Sequence, residues 1–339
     1  MEIKNQIERI LLIKPSSLGD IIHGLPVLKA LHDKWPDAKI SWAVKDIYAD
    51  ILNGNSYINE LILLNKSSLT TSILPFRKKL RHGSFDLAVD MQGLFRSGLI
   101  AFLSGAAVRI GFSNARELAS LFYTHKVDAP LSLHAVDRNL KLAASLGCEI
   151  QEIKFPLNLN PEAEQEALDF LQKNQLDTRR PLVTFVPGAR WEKKRWPPAS
   201  FSRLGDLLNQ KLGAGIIVAG SRQENRLIHE IRSAMKNISA EAVDFSLTKL
   251  TALLSKSDAV VTNDSGPMHI AVAMGTPVVA LFGPTDPRRT GPYTKKCLII
   301  QRDLECRPCF RKQCSQGSFE CMESISVEEV LEGVKKMLR

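Results

Sequence analysis

Residues 258–287, DAVVTNDSGPMHIAVAMGTPVVALFGPTDP, carry the densest set of groups able to hold an anion. An apolar run over 259–262 ends in the polar turn Asn263-Asp264-Ser265-Gly266-Pro267, and a small-residue helix is expected over about 268–274. A second apolar run over 277–282 ends in Gly283-Pro284-Thr285. Two strand-like runs joined by a short helix make a βαβ unit whose strand ends both feed loops. In such sheets ligands sit outside the carboxyl ends of the strands, and helix N-termini there offer unpaired N–H groups and partial positive charge. The expected guest carries phosphate. Asp264 is a natural N-cap, Pro267 suits the first helical turn, and His269 falls close to whatever that turn holds. A well-capped turn with a packed histidine is the plainer reading of the same residues.

Three further groups could do chemistry. Lys14-Pro15-Ser16-Ser17-Leu18-Gly19-Asp20 closes the first strand-like run. Asp20 is either an N-cap of the next helix or a carboxylate that takes a proton from an attacking hydroxyl. His23, one turn on, orients it or simply packs. In the second half, Val186-Pro187-Gly188-Ala189-Arg190 leads into Lys193-Lys194-Arg195-Trp196, with four cations between Arg190 and Arg195. A solvated charge run is the usual explanation; the place beside a strand end favours phosphate, with Lys194 the best candidate. The last group is basic residues of the first half: Arg77, Lys78, Lys79, Arg81, Arg96, Arg116, and His134 with Arg138.

The elements that must position these groups follow a βαβα rhythm. Strands are expected over 9–14, 40–44, 61–64, 87–89 and 108–110, then over 182–186, 215–219, 259–262 and 278–282. Helices fall between several of them, which argues doubly wound parallel sheets of the α/β class. Asn and Pro turns place a linker at about 156–161, ahead of a polar amphipathic helix over about 162–174. The 339 residues suit two domains of about 150–170 each, here 1–158 and 159–325. Residues 326–339 form a terminal helix whose apolar stripe (Val327, Val330, Leu331, Val334, Leu338) is core packing, in one reading folded back on the first domain.

Composition narrows the partners. With 44% apolar and 24% charged residues the chain reads as an ordinary globular protein, and no stretch approaches the roughly 18 apolar residues of a membrane span. No signal-peptide pattern opens the chain, so a cytoplasmic protein is expected. The net charge of +9 favours acidic partners: nucleic acid, anionic lipid or a phosphorylated substrate. The 6% aromatic content and the lack of nucleic-acid-binding signatures argue against a nucleic-acid reader. Of six cysteines, Cys148 and Cys297 look buried, whereas Cys306, Cys309, Cys314 and Cys321 cluster at a spacing that suits structural zinc. A reduced, packed cluster or labile disulfides are the alternatives.

Taken together these residues resemble glycosyltransferase family 9, the ADP-heptose:lipopolysaccharide heptosyltransferases, from residue 10 to about 293. The first loop, Lys14-x-Ser16-Ser17-Leu18-Gly19-Asp20-x-x-His23-x-Leu25-Pro26, is similar to that of the family. Asp264-Ser265-Gly266-x-x-His269 and Phe282-Gly283-Pro284-Thr285-Asp286-Pro287 resemble its donor site. Residues 90–97 (DMQGLFRS), 115–123 (ARELASLFY) and 134–138 (HAVDR) are most like the heptosyltransferase I branch, which adds the first heptose to the Kdo region of lipid A.

The resemblance implies a GT-B fold, two Rossmann-like domains with an interdomain cleft, acceptor on the first and sugar nucleotide on the second. It implies Asp20 as general base of an inverting transfer, with Ser17, Gly19 and His23 beside it among the residues that bind the acceptor. Lys194 would neutralise the diphosphate with backbone N–H groups at Ser265 and Gly266; Asp264 and His269 would contact the donor, and Glu224 the adenosine ribose. Arg77, Lys79, Arg96, Arg116, His134 and Arg138 match the face that receives the anionic acceptor. Where the family carries two adjacent threonines in the second-domain phosphate loop, this chain has Ala189-Arg190, and Arg190 could itself reach a phosphate. No Asp-x-Asp motif is present, so a helix terminus and a lysine can stabilise the leaving diphosphate without a required cofactor. The implied partners are ADP-heptose, Kdo-lipid A and, peripherally, the cytoplasmic face of the inner membrane.

The weighed alternatives are a later-step heptosyltransferase, a sugar-nucleotide epimerase on the same scaffold, and a sugar-nucleotide binding protein without activity. An epimerase needs several acid/base groups around the sugar, and Asp20 is the one strong candidate here.

Overall fold

A computed structural model describes residues 7–65, 73–176, 181–237, 239–314, 317 and 319–339, without the side chains of residues 73–75 and 79. The chain divides into two compact units, Met1–Asn158 and Leu159–Arg339.

The first unit carries strands β1 (Arg9–Ile13), β2 (Lys39–Lys45), β3 (Glu60–Leu64), β4 (Leu87–Asp90), β5 (Val108–Phe112) and β6 (His125–Val127). Its helices are α1 (Leu18–Ile22), α2 (Leu25–Lys34), α3 (Asp46–Ala49), α4 (Ile73–His82), α5 (Phe95–Leu103) and α6 (Ala135–Ser145). The strands pair in the order β3-β2-β1-β4-β5-β6, all parallel, with Ile13 opposite Asp90. Strand order reverses beside β1, so the loops after β1 and β4 open a crevice at the carboxyl edge.

The second unit repeats this plan. Strands β7 (Leu182–Val186), β8 (Gly215–Gly220), β9 (Ser239–Val243), β10 (Ala259–Asn263), β11 (Val278–Phe282) and β12 (Cys297–Gln301) pair in the order β12-β11-β10-β7-β8-β9. Around them run α7 (Pro161–Lys173), α8 (Pro198–Leu212), α9 (Asn225–Ala234), α10 (Leu247–Ser255), α11 (Gly266–Ala273), α12 (Pro287–Thr290), α13 (Glu320–Glu323) and α14 (Val327–Met337). Its switch point lies between β7 and β10. Strands β7, β10 and β11 are buried along their whole length, which is why they read as unbroken apolar runs rather than alternating ones.

Both units are doubly wound and Rossmann-like, the α/β architecture of the GT-B class. Three strands escape the sequence reading: β6 has three residues, β9 is the weakly apolar Ser-Ala-Glu-Ala-Val, and β12 is an edge strand. The terminal helix α14 buries Val327, Val330, Leu331 and Val334 in the core of the second unit, with Val279, Leu281 and Phe201. Its stripe therefore completes the core of the second domain. Each such buried side chain contributes about 1.5–3 kcal/mol, and Trp196 adds a hydrogen bond from its indole Nε1 to Ile325 O at 2.9 Å. Among the described residues no helix is long and apolar enough to cross a membrane.

Candidate active site

In the first unit the loop after β1 turns straight into α1. The N-cap of that helix is Ser17, and Asp20 is its third residue, reaching back so that Oδ2 accepts from Ser17 N at 2.9 Å and Ser17 Oγ at 2.8 Å. The expected cap at Asp20 is thus a capping box, in which the residue three places on secures the cap. One carboxylate oxygen is spent on that box. The other, Oδ1, faces Lys14 Nζ at 3.9 Å, and the side chain is 40% exposed.

Lys14 itself is buried and gives its ammonium to Met91 O at 2.7 Å. Burial pushes its pKa below the usual lysine range; Asp20 and Asp90 pull it up, and Arg138 and Arg116 press it down. Those cations therefore belong to the same charged group. Asp90, at the end of β4, is fully buried: Oδ1 accepts from Gln92 N and Gly93 N, and Oδ2 from Tyr123 Oη at 2.6 Å. Burial raises its pKa, and those hydrogen bonds, with one from Ser97, draw it back. Asp90 so fixes the loop after β4 against Tyr123, and Lys14 reaches that loop through Met91 O.

His23 is buried with its ring 5.4 Å from that of His134, edge to face. His134 caps α6 by accepting from Val136 N at Nδ1. Arg138 lies 4.0 Å over the Phe112 ring, donates from Nε to Ala129 O at 3.0 Å, and gives NH2 to Asn114 Oδ1 at 2.7 Å. Ser17, Gly19, Asp20, His23, Arg116, His134 and Arg138 thus gather at one edge of the first sheet. Arg77 and Arg96 are exposed on α4 and α5 and make no described contact with that group. The Lys79 side chain lies outside the described residues.

In the second unit the four cations of residues 190–195 separate into different roles. Lys194 forms an ion pair with Asp264 Oδ2 at 2.5 Å, both side chains largely buried, and its ammonium stands 4.9 Å from the Trp191 ring. Lys193 is buried and donates to Gln313 O at 3.2 Å, with Cys309 Sγ at 3.7 Å. Arg195 donates back to Ala189 O within its own loop. Arg190 is exposed. Only Lys194 points at the strand–helix junction, so a charge run that looks uniform in sequence is not one in space.

Three neighbouring loops interlock around that lysine. Asn263, fully buried at the end of β10, donates to Pro187 O at 2.7 Å and accepts from Trp196 N at 3.1 Å, closing the loop after β7. Thr285, in the loop after β11, donates to Asp264 Oδ2 at 2.7 Å. Arg307 in turn donates to Gly283 O and, at 3.3 Å, to Thr285 O.

The first turn of α11 is capped by Ser265, not Asp264, and Ser265 makes no side-chain cap hydrogen bond. Pro267 has no N–H to satisfy, so the backbone amides of the turn face outward for an anion. His269 is buried one residue beyond that turn. Glu224 accepts from Ser221 N and Oγ through Oε2. Its Oε1 is packed against Gly188 so tightly that a Cβ there would come within 1.8 Å of it. Glycine at 188 is what lets the β7 loop and Glu224 approach.

Sequence reasoning missed Asp90, Asn263, Thr285 and Arg307 as parts of this machinery. Asp90 and Asn263 each end a strand at a switch point, a positional signal available from the strand assignment. Thr285 follows the end of β11 and stands in the piece that resembles the donor site, whereas Arg307 carries no such signal.

The cysteine segment is held by protein contacts, with Cys309 N and Phe310 N both donating to Pro284 O. Cys306 is exposed, and Cys309, Cys314 and Cys321 are half-buried thiols. Among the described residues no group of three or more His, Cys, Asp or Glu side chains is placed to hold a metal ion, so the structure does not assemble the zinc site that the spacing suggested. Cys148 is buried and Cys297 only half so.

The model of glycosyltransferase family 9 (heptosyltransferase) matches residues 73–320. The chain belongs to glycosyltransferase family 9. Within family 9 it is 30% identical to lipopolysaccharide heptosyltransferase 1 of Pseudomonas aeruginosa, over 91% of this chain and 87% of that one. It is 27% identical to lipopolysaccharide heptosyltransferase 2 of Escherichia coli K12, over 97% and 98%. Its fold is similar to that of the E. coli ADP-heptose heptosyltransferase II structure, with a TM-score of 0.81 at 24% identity, covering 97% of this chain and 98% of that one. The protein is a glycosyltransferase of the heptosyltransferase family.

Proposed function

We propose that the enzyme transfers heptose from ADP-heptose to the Kdo region of lipid A, with inversion, in the inner core of lipopolysaccharide. The observation that carries this reading is the pairing of Asp20 and Lys194 with their opposite neighbours. Asp20 keeps one oxygen outside its capping box, and Lys194 is fixed beside the outward amides of α11.

The acceptor hydroxyl attacks the anomeric carbon of heptose while its proton passes to Asp20 Oδ1. The bond from that carbon to the diphosphate oxygen breaks, and ADP leaves with the electron pair. Lys194, aligned by Asp264, and the N–H groups at Ser265 and Gly266 stabilise the charge that grows on the diphosphate. Exposed Arg190 adds a second cation, His269 backs the turn, and Glu224 Oε1 accepts from the ribose hydroxyls of adenosine. No group need protonate ADP, because its diphosphate is a stable anion.

On the acceptor side Arg116 and Arg138 lie close enough to Lys14 to lower its pKa, against Asp20 and Asp90, which raise it. Together with His134 these two arginines would receive the Kdo carboxylates and phosphates, and the exposed Arg77 and Arg96 would add positive charge outside that group. The relatives support the donor and the lipopolysaccharide setting: the similar E. coli structure is of an ADP-heptose heptosyltransferase, and the P. aeruginosa and E. coli relatives are lipopolysaccharide heptosyltransferases.

Turnover with ADP-heptose and Kdo-lipid A, run beside the same acceptor already carrying heptose, tests the reading. Transfer to the unheptosylated acceptor is expected. Preference for the heptosylated one would make it a later-step enzyme, and no transfer to either would overturn the assignment.

A further inference from the structure

On the first unit, α5 and the short turn Ala119–Phe122 leave a group of large apolar side chains in water. Phe95 and Phe102 stand on one face of α5, 45% and 52% exposed. The Phe122 ring lies between them, 5.4 Å from the first and 6.0 Å from the second, so three rings form a row. The turn sits so close to α5 that a Cβ at Gly98 would come within 2.8 Å of Phe122. Leu118 and Leu121 flank the row at 68% and 72% exposed. Scattered exposed leucines need no explanation; a contiguous patch of this kind marks an interaction surface.

Backbone geometry argues that the exposure is imposed. Glu117 and Leu118 both take left-handed conformations, at φ 55° and 61°, which side chains with a Cβ disfavour. Glu117 uses this to accept from Phe95 N, and Leu118 is held outward.

The border of the patch is cationic. Arg96 follows Phe95 and Arg116 precedes the strained pair, both exposed. Arg77, Lys78 and Arg81 are exposed on α4, and the Arg81 guanidinium lies 3.8 Å from where a Cβ on Gly105, at the end of α5, would stand. Arg109 anchors the row from within, its guanidinium 5.8 Å from the Phe102 ring.

We propose that this surface docks on an anionic bilayer, the rings and leucines entering the interface and Lys78 and Arg81 pairing with lipid phosphates. A second copy of the chain fits it poorly, because an isologous contact would set the same cations face to face. The choice of a lipid surface deepens the functional reading above, in which the acceptor is itself a lipid.

Sedimentation of the full chain with vesicles of phosphatidylethanolamine and phosphatidylglycerol, against vesicles of phosphatidylcholine alone, tests it. Binding to the anionic vesicles is expected, weakening as salt rises. Phe102→Ser with Leu121→Ser should lower it about tenfold or more. Leu118→Ser, the least packed site, should lower it less without loss of thermal stability. Turnover on a water-soluble, deacylated Kdo acceptor should be unchanged in these variants while turnover on the acceptor in vesicles falls. Equal vesicle binding by wild type and variants would overturn the proposal, as would wild-type dimers that the double variant abolishes. Vesicle binding without any transfer from ADP-heptose would instead remove the functional reading and leave the surface standing.

Discussion

Each unit places a lysine in the loop after its first strand, and the two lysines are used in opposite ways. Lys14 is buried and turned to a backbone carbonyl, which leaves the Asp20 carboxylate 40% exposed, with Oδ1 held only by a long ion pair to that lysine at 3.9 Å. Lys194 is locked to a carboxylate that is itself buried and shared with Thr285. In the proposed mechanism the lysine of the first unit is scaffold and its acid works, whereas in the second unit the acid is scaffold and the lysine works. Units of the same strand order would then offer a base in one and a cation in the other, according to which partner is withdrawn from solvent.

Substitutions can break that contrast. Asp20→Asn keeps an oxygen for Ser17 but cannot take a proton, so kcat should fall about 10²–10⁴-fold with ADP affinity unchanged. Single-turnover rates and ADP titration check it, and wild-type turnover would place the base elsewhere. Lys194→Ala should lower kcat/KM about 10²–10³-fold and weaken ADP as well; unaltered ADP affinity would mean that both lysines are scaffold. Thr285→Val should weaken ADP about tenfold by freeing the Asp264 carboxylate, with Thr285→Ser restoring it.

Lys14→Met should act on stability rather than on ADP, costing about 1–3 kcal/mol as Met91 O loses its donor. The sign of its pH dependence follows from burial. Because the folded-state pKa of Lys14 lies below 10.5, the unfolded chain binds the proton more tightly, and wild-type stability gains a contribution as pH rises toward 10.5. Thermal melts of the variant across that alkaline window should lack it.

Much of this arrangement is legible in the residues, and the limits are physical. Long apolar runs such as 259–263 and 278–282 announce buried parallel strands, whereas β9, with Ser239 and Glu241 among small residues, does not. Both expected caps fall on the wrong neighbour, Asp20 for Ser17 and Asp264 for Ser265, because several residue types cap equally well and only backbone geometry chooses. The cations of residues 190–195 look alike in sequence since nothing local says that Lys193 turns toward Gln313 and Lys194 toward Asp264. Thr285 meets Asp264 only because β10 and β11 are neighbours, a pairing that brings residues 21 apart into one hydrogen bond.

The Lys194 ammonium over the Trp191 ring has an optical consequence. Trp42 and Trp196 are fully buried and Trp35 nearly so, while Trp191 is half-exposed and its indole Nε1 finds no acceptor among the described residues. A diphosphate that draws the ammonium away, or accepts from that Nε1, changes the field on this one chromophore. The enzyme therefore carries a built-in gauge: titrating ADP should shift its tryptophan emission, and Trp191→Phe should silence the signal.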